Sequence, residues 1–306
     1  MAYAHGKIIL IGEHAVVHHT PAIVLPVFDA YVEVLVEPSK ENIIKSSFFN
    51  GHLKDIPPSY QAIQTLIKTI THDLKLDPFQ LTIDTYIPVA AGMGASAAIA
   101  SAITQALFEY AKKSLNQDQL RKYMNVSEKI AHGSPSGTDV EGVLTQKPLV
   151  FQKDRTSKVL TSTLNGYLLI VFSGIKGSTK EAVSKVQSIV ASQGNQIIEE
   201  MEDTINETIK AYSNKDIHSV GLLLNRYQAY LHTLGVSHHV LDDMIKDAYE
   251  FGSLGAKLSG GGLGGCIIAL FEDLDKLLLL KEHYRNKGYH PSFLVDLNKE
   301  YHDDLR

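Results

Sequence analysis

Three ionisable residues and one small-residue loop stand where chemistry could be done. Lys7 lies inside an apolar run, residues 3–11. It is either an edge residue that shields a sheet or an inward cation that needs an acidic partner. Glu128 follows Met124 by four residues and Leu120 by eight, so it borders the apolar stripe of a helix. There it is either a solvated edge carboxylate or a buried one met by a cation or a donor. Asp139 ends the breaker-rich stretch His-Gly-Ser-Pro-Ser-Gly-Thr-Asp at residues 132–139. That turn either fixes its carboxylate for use or makes it an N-cap for Val140 to Leu144. The loop Gly92-Met93-Gly94-Ala95-Ser96-Ala97 follows an alternating segment, Phe79 to Tyr86, and precedes an alanine-rich helical run with Ile99, Ile103, Leu107 and Tyr110. A strand, a glycine loop and a helix start in that order let backbone approach a ligand and aim free N–H groups at an anion. A plain tight turn with close packing is the other reading of the loop.

Other polar clusters are weaker. His14 and His18 are one helical turn apart, with His19 beside them, but no clear helix or third ligand accompanies them as a metal site would require. Ser178-Thr179, after Lys176, is a second anion site or a simple helix cap. Cys266 lies in an apolar strand and reads as core.

The elements that must hold these groups are legible from periodicity. Strands are expected at 3–11, at 28–36 with Phe28, Ala30, Val32, Val34 and Val36 inward, at 43–49, and at 79–86. A helix starts at Pro57-Pro58-Ser59 and carries Ile63, Leu66, Ile67, Ile70 and Leu74. Another is capped around Asn116, with Leu120, Tyr123, Met124, Ser127, Ile130 and Ala131 on its stripe. Strands follow at 149–151 and 166–172, amphipathic helices fill 179–251, and the run Ser259 to Gly265 leads into a buried strand, Cys266 to Phe271. A helix from Leu274 to Tyr284 and a strand near 290–296 close the chain. The early strands look antiparallel rather than alternating with helices, so the class expected is α+β with two lobes, divided in the polar connector at 152–163.

Composition narrows the field. The 306 residues are 44% hydrophobic and 21% charged, enough for two domains with ample core. A net charge of −5 argues against a nonspecific nucleic-acid binder. The single cysteine permits no internal disulfide and fits a reducing cytoplasm. The apolar run Ile8 to Ile11 is too short for a signal peptide or membrane span.

The glycine spacing Gly92-x-Gly94-x-x-Ala97 also fits a dinucleotide fingerprint. A dinucleotide unit needs a second strand with an acidic residue about 20 positions on, whereas here Glu109 falls in the same helix and another helix follows. Gly260-x-Gly262-x-x-Gly265 precedes a strand instead of a helix, and no Gly-Lys-Ser/Thr is present for a P-loop.

Taken in order, three segments resemble the three motifs of the galactokinase, homoserine kinase, mevalonate kinase and phosphomevalonate kinase (GHMP kinase) superfamily. They are Lys7-Ile8-Ile9-Leu10-Ile11-Gly12-Glu13-His14-Ala15-Val16-Val17, Gly92-Met93-Gly94-Ala95-Ser96-Ala97-Ala98, and Lys257-Leu258-Ser259-Gly260-Gly261-Gly262-Leu263-Gly264-Gly265. Residues 132–139 narrow the resemblance to its mevalonate kinase branch; galactokinases carry Thr-Asp-Tyr after the Gly-Glu-His. The chain departs from the family at Ala95 (usually Ser), at Ser259 and Gly261 (usually Thr and Ala), and at His19 (commonly Gly).

The resemblance implies an N-terminal domain like ribosomal protein S5 domain 2 over residues 1–157 and a ferredoxin-like C-terminal domain over 158–306, with the active site between them. It implies transfer of the ATP γ-phosphoryl to the C5 hydroxyl of mevalonate, a step of isoprenoid precursor biosynthesis. Gly92, Met93, Gly94, Ala95, Ser96 and Ala97 would bind the nucleotide phosphates. Ser96 and Glu128 would hold Mg²⁺, and Asp139 with Lys7 would be catalytic. Lys7, Glu13, His14 and Asp139 would bind the acceptor. The last glycine run would pack under the phosphate loop. No nucleic acid or membrane partner is expected, and family members are often homodimers. Another small-molecule kinase of the superfamily, acting on phosphomevalonate or a similar acceptor, and a catalytically silent ligand sensor on the same fold are the alternatives.

Overall fold

The apolar N-terminal run forms β1 (Ala2–Ile11), which pairs with β2 (Pro21–Pro38). A computed structural model describes residues 1–133 and 136–300, apart from the side chains of His132 and Gln193. Ser134 and Pro135 of the turn singled out above therefore lie outside the described residues. The chain divides into two compact units: residues 1–7, 28–87 and 94–146 in one, and 8–27, 88–93 and 147–306 in the other.

β2 begins seven residues before the alternating segment. Residues 21–27 are buried on both faces, so they show a continuous apolar run with no period of two. Alternation sets in where one face opens to solvent, and Ala30, Val32 and Val34 point inward as expected. Phe28 does not: it is half exposed, its ring 4.8 Å from that of His5.

In the first unit, the C-terminal half of β2 pairs antiparallel with β5 (Phe79–Thr85), Val34 opposite Ile83. β5 takes β3 (Ile43–Ser46) on its other side, and β3 pairs with β4 (Asn50–His52). The β3–β5 pair is parallel, with Ile44 opposite Leu81, against the antiparallel expectation for the early strands. Parallel neighbours need a crossover, and α1 (Gln61–Leu74) supplies it after a short 3-10 turn at Pro58–Tyr60. The alanine-rich run forms α2 (Ala95–Tyr110), which packs on α1, α3 (Gln117–His132) and α4 (Thr138–Thr145). Asn116 closes a reciprocal capping box with Gln119 at the start of α3.

In the second unit, the N-terminal half of β2 pairs with β6 (Leu149–Gln152), and β6 pairs with the two-residue β7 (Lys158–Val159). A separate antiparallel sheet follows in the order β11–β8–β10–β9, from β8 (Tyr167–Phe172), β9 (Gly255–Ser259), β10 (Cys266–Phe271) and β11 (Ser292–Asp296). Its register sets Cys266 opposite Phe172 on one side and Ser259 on the other. Four helices, α5 (Thr179–Gln193), α6 (Gln196–Ser213), α7 (Ile217–Thr233) and α8 (His239–Glu250), join β8 to β9, and α9 (Leu274–Asn286) joins β10 to β11. With those helices counted as one crossover, this is the β-α-β-β-α-β order of ferredoxin-like domains. Among the described residues no helix is long and apolar enough to cross a membrane.

Candidate active site

β1 turns Lys7 inward. The side chain is 2% exposed, and its Nζ lies 2.7 Å from Asp139 Oδ1. The strand therefore uses its lysine as an inward cation with an acidic partner. Asp139 stands in the first turn of α4, one residue past the helix start, where the helix dipole favours a carboxylate. Gly137 occupies the cap position, so Asp139 is not the N-cap. Arg121 of α3 grips Glu141 of α4 through Nε at 2.6 Å and a second guanidinium nitrogen at 3.4 Å, which ties the short helix to its neighbour.

The loop before α2 is shaped by two close approaches. A Cβ on Gly94 would stand 3.1 Å from Lys7 Cγ and 3.2 Å from Cε, so the glycine lets the lysine stem run past the helix start. Gly94 is also the left-handed cap of α2 (φ +70°), and no side chain caps that end. The first-turn N–H groups of Ala95, Ser96 and Ala97 are the donors such a terminus offers to an anion. Gly92 (φ +78°) lies back to back with Gly260: its Cβ would come within 2.9 Å of Gly260 Cα. The third motif's glycines therefore pack against the chain at residues 90–92, with Gly265 against Ala91.

Glu128 lies within the buried stripe of α3, not at its border. It is 1% exposed and shares its face with buried Tyr123, Met124 and Ser127, while Ile130 and Ala131, expected on the stripe, are exposed. α3 packs on α2, whose first turn carries Ser96. A buried carboxylate and a serine hydroxyl are hard oxygen donors. Two of them suit a cation that keeps waters and takes phosphate oxygens for its remaining positions. Among the described residues no three His, Cys, Asp or Glu side chains cluster as a metal site of their own. The His14–His18–His19 segment is a 3-10 turn at Ala15–His18 with no such cluster. His19, where the family commonly carries Gly, takes left-handed backbone (φ +65°), its Nδ1 3.4 Å from Asp154.

Glu13 and His14 lie in the second unit, in surroundings that pattern reading missed. Glu13 is 2% exposed and forms an ion pair with Lys257 of β9, which is fully buried. Lys257 Nζ also donates to the Leu258 carbonyl at 2.6 Å and sits 5.6 Å from the ring centre of Tyr227 of α7. The Tyr227 hydroxyl donates to the Glu13 carbonyl at 2.9 Å. His14 is buried and takes left-handed backbone (φ +63°). Its pKa is pushed down to about 4, mainly by burial, with the Lys257 charge adding to the effect against a favourable hydrogen bond to the Gly261 backbone. The imidazole is therefore neutral at pH 7. Lys257 could have been noticed as Lys7 was, as a lone cation in an apolar strand; the surrounding glycine motif masked it.

Residues 54–146 match the family model of the GHMP kinases N terminal domain, and residues 205–290 match that of the GHMP kinases C terminal. Together the two models take in more than half of the chain. The chain belongs to the GHMP kinases. Its relatives include a mevalonate kinase of Aeropyrum pernix, 29% identical over 286 residues that cover 89% of this chain and 88% of that protein. A mevalonate kinase of Methanocaldococcus jannaschii is 29% identical, covering 90% and 93% respectively. Among solved structures, the Methanococcus jannaschii mevalonate kinase aligns with a TM-score of 0.83 at 26% identity over 97% of this chain and 98% of that one. The L. major mevalonate kinase in complex with R-mevalonate shares the fold of this GHMP kinase with a TM-score of 0.82 at 24% identity, over 97% of this chain and 95% of that one.

Proposed function

We propose that this GHMP kinase transfers the γ-phosphoryl group of ATP to the C5 hydroxyl of mevalonate, giving 5-phosphomevalonate and ADP. The observation that carries the reading is the Lys7–Asp139 pair, with Lys7 running along the uncapped, glycine-led start of α2. A carboxylate that can take a hydroxyl proton stands against a cation that can face developing phosphate charge. The mevalonate kinase names of its relatives support the choice of acceptor.

In this reading the loop at residues 92–97 and the first turn of α2 bind the nucleotide phosphates. Asp139 orients the acceptor hydroxyl and takes its proton as the new O–P bond forms and the bond to the ADP oxygen breaks. Lys7 holds Asp139 in place and faces the transferred group. Phosphoryl transfer through a loose transition state asks for positioning and charge stabilisation more than for a strong base. Ser96 and Glu128 would hold Mg²⁺, which supplies charge neutralisation to the nucleotide phosphates when bound. Glu13 and His14 contribute to the acceptor site, His14 as a neutral hydrogen-bonding ring. Residues 1–157 and 158–306 are taken as the N- and C-terminal kinase domains of a cytoplasmic enzyme, with a homodimer as its assembly.

A coupled ADP-release assay with ATP and Mg²⁺ across mevalonate, phosphomevalonate, homoserine and galactose tests the reading. ADP release with mevalonate is expected. Release with another acceptor alone would overturn the acceptor assignment, and ATP binding without release on any acceptor would point to a ligand sensor.

A further inference from the structure

Glu13 forms a buried charge pair with Lys257, a residue with no place in the chemistry derived so far. Burying two charges is costly, and such a pair is weak evidence of a purely stabilising role. Its surroundings show where it acts. Glu13 directly precedes His14 and is held twice: by Lys257 on its side chain and by the Tyr227 hydroxyl on its carbonyl. β9 is fastened to the end of β1 a second time, by the Ser259 hydroxyl donating to the Ile9 carbonyl at 2.7 Å. The Leu258 amide donates to the Gln228 side chain of α7 at 3.0 Å. Two of these contacts hold Glu13 itself, and the other two brace β9 against the end of β1 and against α7. The next residue, His14, has a positive φ of 63° that is uncommon outside glycine. At that corner, residues 12–14, His14 Nε2 is buried and, among the described residues, has no hydrogen-bond partner.

We propose that Lys257 is a positioning residue for the acceptor: by clamping Glu13, with Tyr227 as the second tether, it fixes the corner so that His14 offers its Nε2 to an acceptor hydroxyl. The inference rests on the kinase reading above and adds to it a residue outside the reacting groups. The Lys257 charge and the Gly261 backbone act on the imidazole directly, while Glu13, next to it in the chain, pairs with Lys257 and accepts from Tyr227 of α7 through its carbonyl. Removing the Lys257 charge lets His14 take up a proton at higher pH, because a repelling cation is lost.

The test compares wild type, Lys257→Met and Tyr227→Phe in steady-state kinetics between pH 5.5 and 8. Lys257→Met is expected to raise the KM for mevalonate about tenfold at pH 7 and further as pH falls, with kcat and the KM for ATP within about threefold of wild type. Tyr227→Phe, which keeps the ion pair and loses only the hydroxyl tether, is expected to raise the acceptor KM about threefold, and it serves should Lys257→Met not fold. An acceptor KM unchanged in the folded variants, or a loss confined to kcat, overturns the proposal. The His14 ring signal, titrated by NMR with His14→Gln as the assignment control, reads the same clamp without turnover. Its midpoint is expected to rise in Lys257→Met, and an unmoved midpoint contradicts the clamp. Failure of the wild type to turn over mevalonate would count against the kinase reading, whereas the NMR midpoint would still decide the role of Lys257.

Discussion

Lys7 and Asp139 are 2.7 Å apart although 132 positions separate them in the chain, and the lysine is almost wholly withdrawn from water. An ammonium so placed is useful only with its carboxylate present, so the pair acts as a unit. Asp139→Asn keeps the side chain's size but removes the proton acceptor. It is expected to lower kcat by at least about a thousandfold while leaving nucleotide affinity within a fewfold, because positioning survives and proton acceptance does not. Single-turnover kinetics beside a fluorescent-nucleotide titration measure both, and near-normal kcat would remove Asp139 from its role. His14 gives a second expectation at this scale. Its folded pKa, about 4, lies below the ordinary 6.5, so the unfolded chain binds more protons between those values. The stability this neutral ring allows is present above pH 6.5 and is lost as pH falls toward 4. Between pH 7 and 5 the loss is expected to be about 2 kcal/mol. Urea unfolding of wild type and His14→Gln across that range checks it; equal slopes for the two proteins would show that His14 carries no such penalty.

Gly92 and Gly260, one residue in each of two glycine runs, touch through their backbones within the second unit. Gly92→Ala adds a methyl 2.9 Å from Gly260 Cα and imposes a positive φ on a residue that disfavours it. A loss of about 2–4 kcal/mol in stability is expected, together with a raised KM for ATP, read by thermal unfolding and by kinetics. A variant as stable as wild type would mean that the loop relaxes freely and that the contact does not shape it. The same contact shows how far elements could be read from pattern. The family resemblance implied that the last run packs under the loop, and its glycines pack against residues 90–92. Alternation found Ala30, Val32 and Val34 of β2 but missed residues 21–27, because a strand buried on both faces carries no alternation. Helical spacing placed Glu128 at the border of its stripe; the packing of α3 on α2 turned the stripe to take Glu128 in and leave Ile130 out. The parallel β3–β5 pair was invisible locally, since the direction of a partner strand is set by the crossover through α1 and not by either strand's own residues.

At the scale of the molecule, the α+β class followed from the element sequence, whereas the ferredoxin-like sheet order, β11–β8–β10–β9, was implied by the family resemblance alone. The Lys7–Asp139 pair was half legible: a lone lysine inside a strand needs an acid, and the family resemblance named which one. The clamp on Glu13 was not, because Lys257 and Tyr227 meet Glu13 only through tertiary packing of β9 and α7. The central claim is the transfer itself and its site. Proton-coupled ³¹P NMR of the product formed from ATP, Mg²⁺ and mevalonate tests it most directly. A phosphomonoester signal split by the two C5 methylene protons is the expected result; an uncoupled signal, as from phosphate on the tertiary hydroxyl, or inorganic phosphate alone, would contradict the account.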